Sequence, residues 1–154
     1  MYNSIMTSTS WDYYHDTNLR FTHNGVDITF VMSNALTPEQ LEQLAKCVGG
    51  PGEFAVITAF NPGKNLSDDA NRQAHAELIA HVQSLGLKFI EAHGVAATHA
   101  AGAIPHQELG VAIRTSKNNA RSIAERFVQN AFFWFDGANF WIEPACKKTP
   151  AARV

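Results

Sequence analysis

The run Phe54-Ala55-Val56-Ile57-Thr58-Ala59-Phe60 is apolar on both of its alternating faces. A strand with one wet face alternates apolar and polar residues. One that does not must lie inside a sheet covered on both sides. The chain therefore has to supply at least one sheet and helices to shield it. The run stops at Asn61-Pro62-Gly63, a turn signal.

The flanking segments supply those helices. Thr37 is placed to cap a helix, with Pro38 at its first position and Gln40 completing a capping box. Leu41, Leu44, Ala45 and Val48 then form one apolar face, and Gly49-Gly50-Pro51-Gly52 ends the helix. Ser67 caps a second helix, with Asp68 and Asp69 at its positive end. Ala74, Leu78, Val82 and Leu85 share its face, Ile79 flanks them, and Gly86 ends it. A short strand follows from Leu87 to Ile90. Thr115 or Ser116 caps a third helix whose face is Ala120, Ile123, Ala124 and Phe127.

Further strands are expected at Leu109, Val111 and Ile113, at Ala131 to Phe135, and at Phe140-Trp141-Ile142 after the Asp136-Gly137 turn. Ile28, Phe30 and Met32 suggest a short strand near the N-terminus. Residues 91–107, rich in small residues and histidine, read as a long loop, and loops of that length are usually functional or mobile. Residues 1–10 and the tail from Lys147 to Val154 read as disordered, which leaves one domain over residues 11–146.

From Phe54 onward the order is β-α-β-β-α-β, then one more strand. The expected class is α+β: a ferredoxin-like split β-α-β core, mostly antiparallel, with its helices on one face. The N-terminal strand and helix are additions to that core, and the last strand closes a C-terminal hairpin.

Composition excludes several function classes. With 45% apolar and 17% charged residues, the chain is neither disordered nor a coiled coil. The net charge of −2 argues against nucleic acid as a partner. Residues 61–154 carry eight acids and ten bases, so an anionic small molecule stays open. Cys47 and Cys146 make no CxxC and no metal spacing. No stretch approaches the roughly 20 apolar residues of a membrane helix, and the first residues lack the signature of a signal peptide. The expectation is a soluble, cytoplasmic protein with no cofactor motif.

Asn71 is the most informative single residue. It is polar, yet it falls near the middle of the apolar stripe of the second helix, one turn from its start. A core-facing amide left unpaired costs about 1–3 kcal/mol, so it needs partners. Asn61, Lys64, Ser67, Asn71 and Arg72 surround a helix N-terminus, where free N–H groups favour a carboxylate or phosphate. Alternatively, Asn71 and Ser67 only brace the turn. A second group is Glu91, His93, His99, His106 and Glu108. The histidine spacings of six and seven match no zinc signature, so no metal is expected. His93 or His106 is the candidate general acid or base, and Glu108 a candidate acid. Gln129-Asn130 either satisfy helix carbonyls or read a polar ligand. Arg114, Lys117, Arg121 and Arg126 read as a solvated helix face.

Three motifs together resemble a known family. They are Thr58-Ala59-Phe60-Asn61-Pro62-Gly63 with Leu66-Ser67 and Asn71-Arg72, then Glu108-Leu109-Gly110-Val111-Ala112-Ile113, then Phe127-Val128-Gln129-Asn130-Ala131-Phe132-Phe133-Trp134. In order and spacing they are similar to the domain-of-unknown-function family 3293, small bacterial proteins, over roughly residues 54–143. The chain departs from the family pattern at Leu109, where a proline commonly follows the acid, and at Ile104-Pro105-His106-Gln107, where the family approaches the acid through a tryptophan. The resemblance carries no activity. It does imply that Asn61, Ser67, Asn71, Arg72, Glu108 and Gln129 belong to one pattern.

These expectations lead to a binder of a small polar or anionic molecule, such as a nucleotide or phosphorylated metabolite, at residues 61–72. Acid–base chemistry by Glu108 or His93 is left open. The alternative is a protein-interaction module, for instance a homodimer, using Phe132, Trp134, Phe140 and Trp141 as an aromatic sheet face. Nucleic-acid processing stands third.

Overall fold

The computed structural model describes residues 14–32, 34–61, 66–97, 101–103, 106–145 and 152–153. Among these lie nine strands: β1 (Thr17–His23), β2 (Val26–Phe30), β3 (Phe54–Thr58), β4 (Phe89–Ala96), β5 (Gln107–Glu108), β6 (Gly110–Ile113), β7 (Ala131–Phe135), β8 (Phe140–Pro144) and β9 (Ala152–Arg153). The helices are α1 (Pro38–Val48), α2 (Asp68–Ser84) and α3 (Lys117–Arg126). The sheet order is β2-β1-β4-β6-β3-β7-β8-β9, with β5 also on β4, and every pairing is antiparallel. The chain is thus a mixed α and β protein built on one antiparallel sheet.

β3 sits between β6 and β7, as its double-sided apolarity requires. Phe54 and Val56 enter one core with Leu19, Phe21, Phe133 and Phe135, closed by Leu44, Cys47 and Val48 of α1. Ala55 and Ile57 enter the other with Val111, Ile113, Phe132 and Trp134, closed by Leu78 and Val82 of α2 and by Ala120, Ile123 and Ala124 of α3. Two helices cover one face, and α1 covers the opposite one.

The helix signals take the expected form. Gln40 N donates to Thr37 Oγ1 (3.2 Å) and Thr37 N to Gln40 Oε1 (2.9 Å), which closes the capping box. Ser67 and Ser116 cap α2 and α3, accepting from Ala70 N and Asn119 N.

Three segments differ from the sequence reading. First, the N-terminal strand is one half of a hairpin. β1 precedes it, turning through Asn24 (φ 51°) and Gly25 (φ 76°), the positive dihedrals of a tight two-residue turn. Second, the expected loop 91–107 begins as strand. β4 runs on to Ala96 because β1 pairs with it, Leu19 opposite Gly94 and Phe21 opposite Ala92. The small residues are strand residues beneath a packed neighbour. Third, Ala152–Arg153 pair with Ile142 and Trp141, within the stretch expected to lack order. The N-terminal segment 1–10 lies outside the described residues.

β4, β6 and β3 come closest at Gly110. A Cβ there would sit 2.7 Å from Ala92 O and 3.0 Å from Ile57 O, both backbone atoms that cannot move without their strands. Gly110→Ala is therefore expected to destabilise the fold by about 3 kcal/mol, the upper end of ordinary overpacking. A lowered urea midpoint with an unchanged slope would show it.

Candidate functional site

The site begins where β3 runs out. Asn61 follows Phe60 with φ 48°, a left-handed conformation that asparagine tolerates better than most residues. Its backbone N–H donates to Asn71 Oδ1 (2.8 Å). Its own Oδ1 accepts from Asn71 Nδ2 (2.9 Å) and Leu66 N (3.0 Å). Asn71, 5% exposed on the first turn of α2, also reaches Leu66 O at 3.5 Å. The two asparagines thus satisfy each other across the strand-to-helix turn. Of the two readings of Asn71, the geometry gives it the bracing contacts.

What the pair holds in place is Asn61 Nδ2, which donates to Glu108 Oε2 at 3.3 Å. Gln129 arrives from the far side. Its Nε2 donates to Phe60 O (3.1 Å) and Phe127 O (3.2 Å), tying the end of α3 to the exit of β3. Val128, just before it, has φ 55°, a costly conformation for a β-branched residue that the tie maintains. Asn61, Asn71, Glu108 and Gln129 therefore meet at one end of the sheet. Ser67 and Arg72 stand beside them but are exposed. Ser67 spends its hydroxyl on the helix cap. Lys64 lies outside the described residues.

Glu108 is 7% exposed. His106 Nε2 lies 3.2 Å from its Oε2, and the His106 side chain is 57% exposed. No Lys or Arg pairs with Glu108 among the described residues. Burying a carboxylate costs several kcal/mol unless it is paired and hydrogen-bonded. Here one amide and one imidazole carry it.

The carboxylate also lines a cavity of about 20 Å3, room for one or two atoms the size of water. Tyr14, Thr58, Gly94, Gly110 and Ala131 line it too, with Leu19, Val56 and Phe133. Tyr14 donates its hydroxyl proton to Ala131 O (2.9 Å), and burial together with the Glu108 charge pushes its pKa up. Thr58 Oγ1 donates to Leu109 O (2.6 Å) and accepts from Phe60 N (3.1 Å). Neither Tyr14 nor Thr58 stands out in the sequence. Tyr14 lies 117 positions from its partner, and Thr58 reads as part of an apolar run.

His93 does not join this group. Glu108 pairs with Gly94, so it shares the face of Gly94 and Ala92, while His93 points to the other side of the sheet. There His93 Nδ1 accepts from Gly110 N (3.3 Å). His75 of α2, 7% exposed, lies within electrostatic reach of His93, Glu91 and Arg72. Glu108 and His93, two of the three candidate proton carriers, are thus separated by the sheet, while His106 stands beside Glu108. Burial is the main cause that pushes both histidine pKa values below 6.5. Among the described residues no three side chains are grouped to hold a metal ion. His99 lies outside them.

The remaining candidates are structural. Arg121 Nη2 binds Glu143 Oε1 at 2.8 Å, and Lys117 lies 3.8 Å from the same carboxylate and over the Trp134 ring. Arg114 Nη2 holds Pro51 O at 2.8 Å. The expected solvated basic face is therefore largely committed to internal partners. Cys47 is buried, which raises its thiol pKa and suits packing rather than nucleophilic attack. Of the aromatic face expected for a partner, Phe132, Trp134 and Phe140 are 1%, 3% and 6% exposed and lie inside the cores, and Trp141 is partly buried against one of them. No helix among the described residues is long and apolar enough to cross a membrane.

Two expectations follow. Asn71→Ala strips the half-buried Asn61 N of its acceptor and should cost about 1–3 kcal/mol, the penalty for leaving a shielded donor unpaired; chemical denaturation measures it. Neutral His75 and His93 are favoured in the fold, so the unfolded chain binds more protons below pH 6.5. Stability should be full above that pH and fall as pH drops through the lowered folded values. A double His75→Gln, His93→Gln variant should show a flatter pH profile in the same titration.

Comparison with known proteins sets this geometry in context. No curated protein and no solved structure matches the chain. Residues 57–132 match the model of a family described as Protein of unknown function (DUF3293). That span runs from β3 into β7 and contains Asn61, Ser67, Asn71, Arg72, His93, Glu108 and Gln129. Over residues 57–132, just under half of its length, the chain is similar to that family.

Proposed function

We propose that the chain binds a small polar ligand at the end of the sheet where Asn61, His106 and Glu108 meet, with Glu108 holding a hydrogen-bond-donating group. The observation that carries this reading is a carboxylate 7% exposed, without a Lys or Arg partner among the described residues. Stability alone gives no reason to keep such a charge. A ligand that neutralises it, or chemistry that uses it, does. His106, exposed and 3.2 Å away, is placed to exchange a proton with Glu108 or with a bound molecule.

The reading narrows the ligand class. Asn61 and Asn71 spend most of their polar atoms on each other, and a phosphate placed against Glu108 would be repelled. A nucleotide or phosphorylated metabolite held directly by these side chains is therefore not favoured. For the scaffold, we read the unit β3-α2-β4-β6-α3-β7 as a ferredoxin-like split β-α-β. The order β4-β6-β3-β7 and the shared face of α2 and α3 support that reading.

The test is thermal melting of wild type and Glu108→Gln against a panel of small polar metabolites. Gln keeps the shape and still accepts from Asn61. The variant should melt at or above wild type, by up to about 2–4 °C for each kcal/mol released. It should also lose any ligand-induced upshift that wild type shows. A variant that melts well below wild type, with no compound shifting either protein, makes Glu108 a structural residue and ends the proposal.

A further inference from the structure

The cavity beside Glu108 has an unusual donor–acceptor balance. Three polar side chains line it: Tyr14, Thr58 and Glu108. The one proton of Tyr14 is committed to Ala131 O, and the one proton of Thr58 to Leu109 O. A carboxylate has none to give. Both contacts to Glu108 fall on Oε2, and Oε1 has no hydrogen-bond partner among the described residues. Gly110 N, the nearby backbone donor, is taken by His93. To anything entering the cavity, these side chains present oxygens that only accept.

That set discriminates sharply. A carboxylate has no donor to offer it, and a phosphate brings its negative charge against that of Glu108 whatever protons it keeps. A protonated primary amine has three donors, no acceptor and one positive charge. The space of about 20 Å3 open to water-sized groups suits an –NH3+ head. The Tyr14 and Phe133 rings that line it meet edge to face at 5.4 Å.

We propose that this cavity takes the ammonium head of a small primary amine, with Glu108 as its counter-charge and Thr58 Oγ1, which keeps a lone pair beyond its bond from Phe60 N, as a further acceptor. This rests on the ligand-binding reading above and names its substrate class.

The experiment is a backbone-amide NMR titration of the full chain at constant ionic strength. The probe is methylammonium chloride, and potassium chloride, tetramethylammonium chloride and sodium phosphate are the controls. Methylammonium should produce saturable shifts at Tyr14, Gly110 and Ala131. Its affinity should be millimolar, the most that so few heavy atoms support. Tetramethylammonium, which is larger and has no N–H, should produce none, and phosphate none. Glu108→Gln should weaken methylammonium binding at least tenfold. Thr58→Val, which keeps the shape and removes one acceptor, should weaken it several-fold.

The proposal is overturned if methylammonium gives no saturable shift. It is also overturned if Glu108→Gln binds methylammonium as well as wild type does, or if phosphate binds in its place. Potassium binding equal to methylammonium would make this an inorganic cation site and overturn the amine. If amines fail but a neutral polar compound still shifts wild type and not Glu108→Gln, only the amine assignment falls. If nothing binds in either experiment, the ligand-binding reading falls with it.

Discussion

The structure hangs on the burial of β3 from both sides. A five-residue strand with both faces apolar can survive only between two others, with helices above and below. That demand sets β6 and β7 as its neighbours, α2 and α3 as one cover and α1 as the other. It also brings β4, β6 and β3 close at Gly110, where even a methyl group has no room. Beside that crossing the sheet spends its polar groups sideways: Leu109 O on Thr58, Gly110 N on His93. The candidate site grows from this departure.

The asparagine pair carries the same logic outward. β3 has to leave the sheet and enter α2 within a few residues. Asn61 makes the left-handed turn, and Asn71 seals it by pairing with both its backbone and its side chain. The arrangement is costly to break because the polar groups of buried Asn71 and half-buried Asn61 are paired with one another. It also has an orienting consequence. With Asn61 Oδ1 accepting twice, its Nδ2 is aimed at Glu108. A structural brace thereby positions a group in the site, so the bracing and binding readings of these residues are not exclusive.

The sheet also separates two chemistries that the sequence placed side by side. On the face of α1, Glu108 with Tyr14 and Thr58 forms an acceptor-rich cavity. On the face of α2, His75 and His93 gather with Glu91, Arg20 and Arg72 around them. Alternation along β4 is the whole cause, since Ala92, Gly94 and their partner Glu108 share one side and His93 takes the other.

The sequence by itself determined what local physics controls. The double-sided strand, the capped starts of the three helices, the Asp136-Gly137 hairpin and the anomaly of Asn71 and Glu108 are all legible in neighbouring residues, because periodicity and capping act within a few positions. The tertiary structure decided everything that depends on long-range pairing. Gly94 and its small neighbours read as loop until β1, far upstream, pairs with them. Phe132, Trp134 and Phe140 read as an exposed face until helices and strands cover them. Tyr14 acquires a role only through a carbonyl 117 residues away. Side-chain partners across a sheet are set by register, and register is a property of two segments at once.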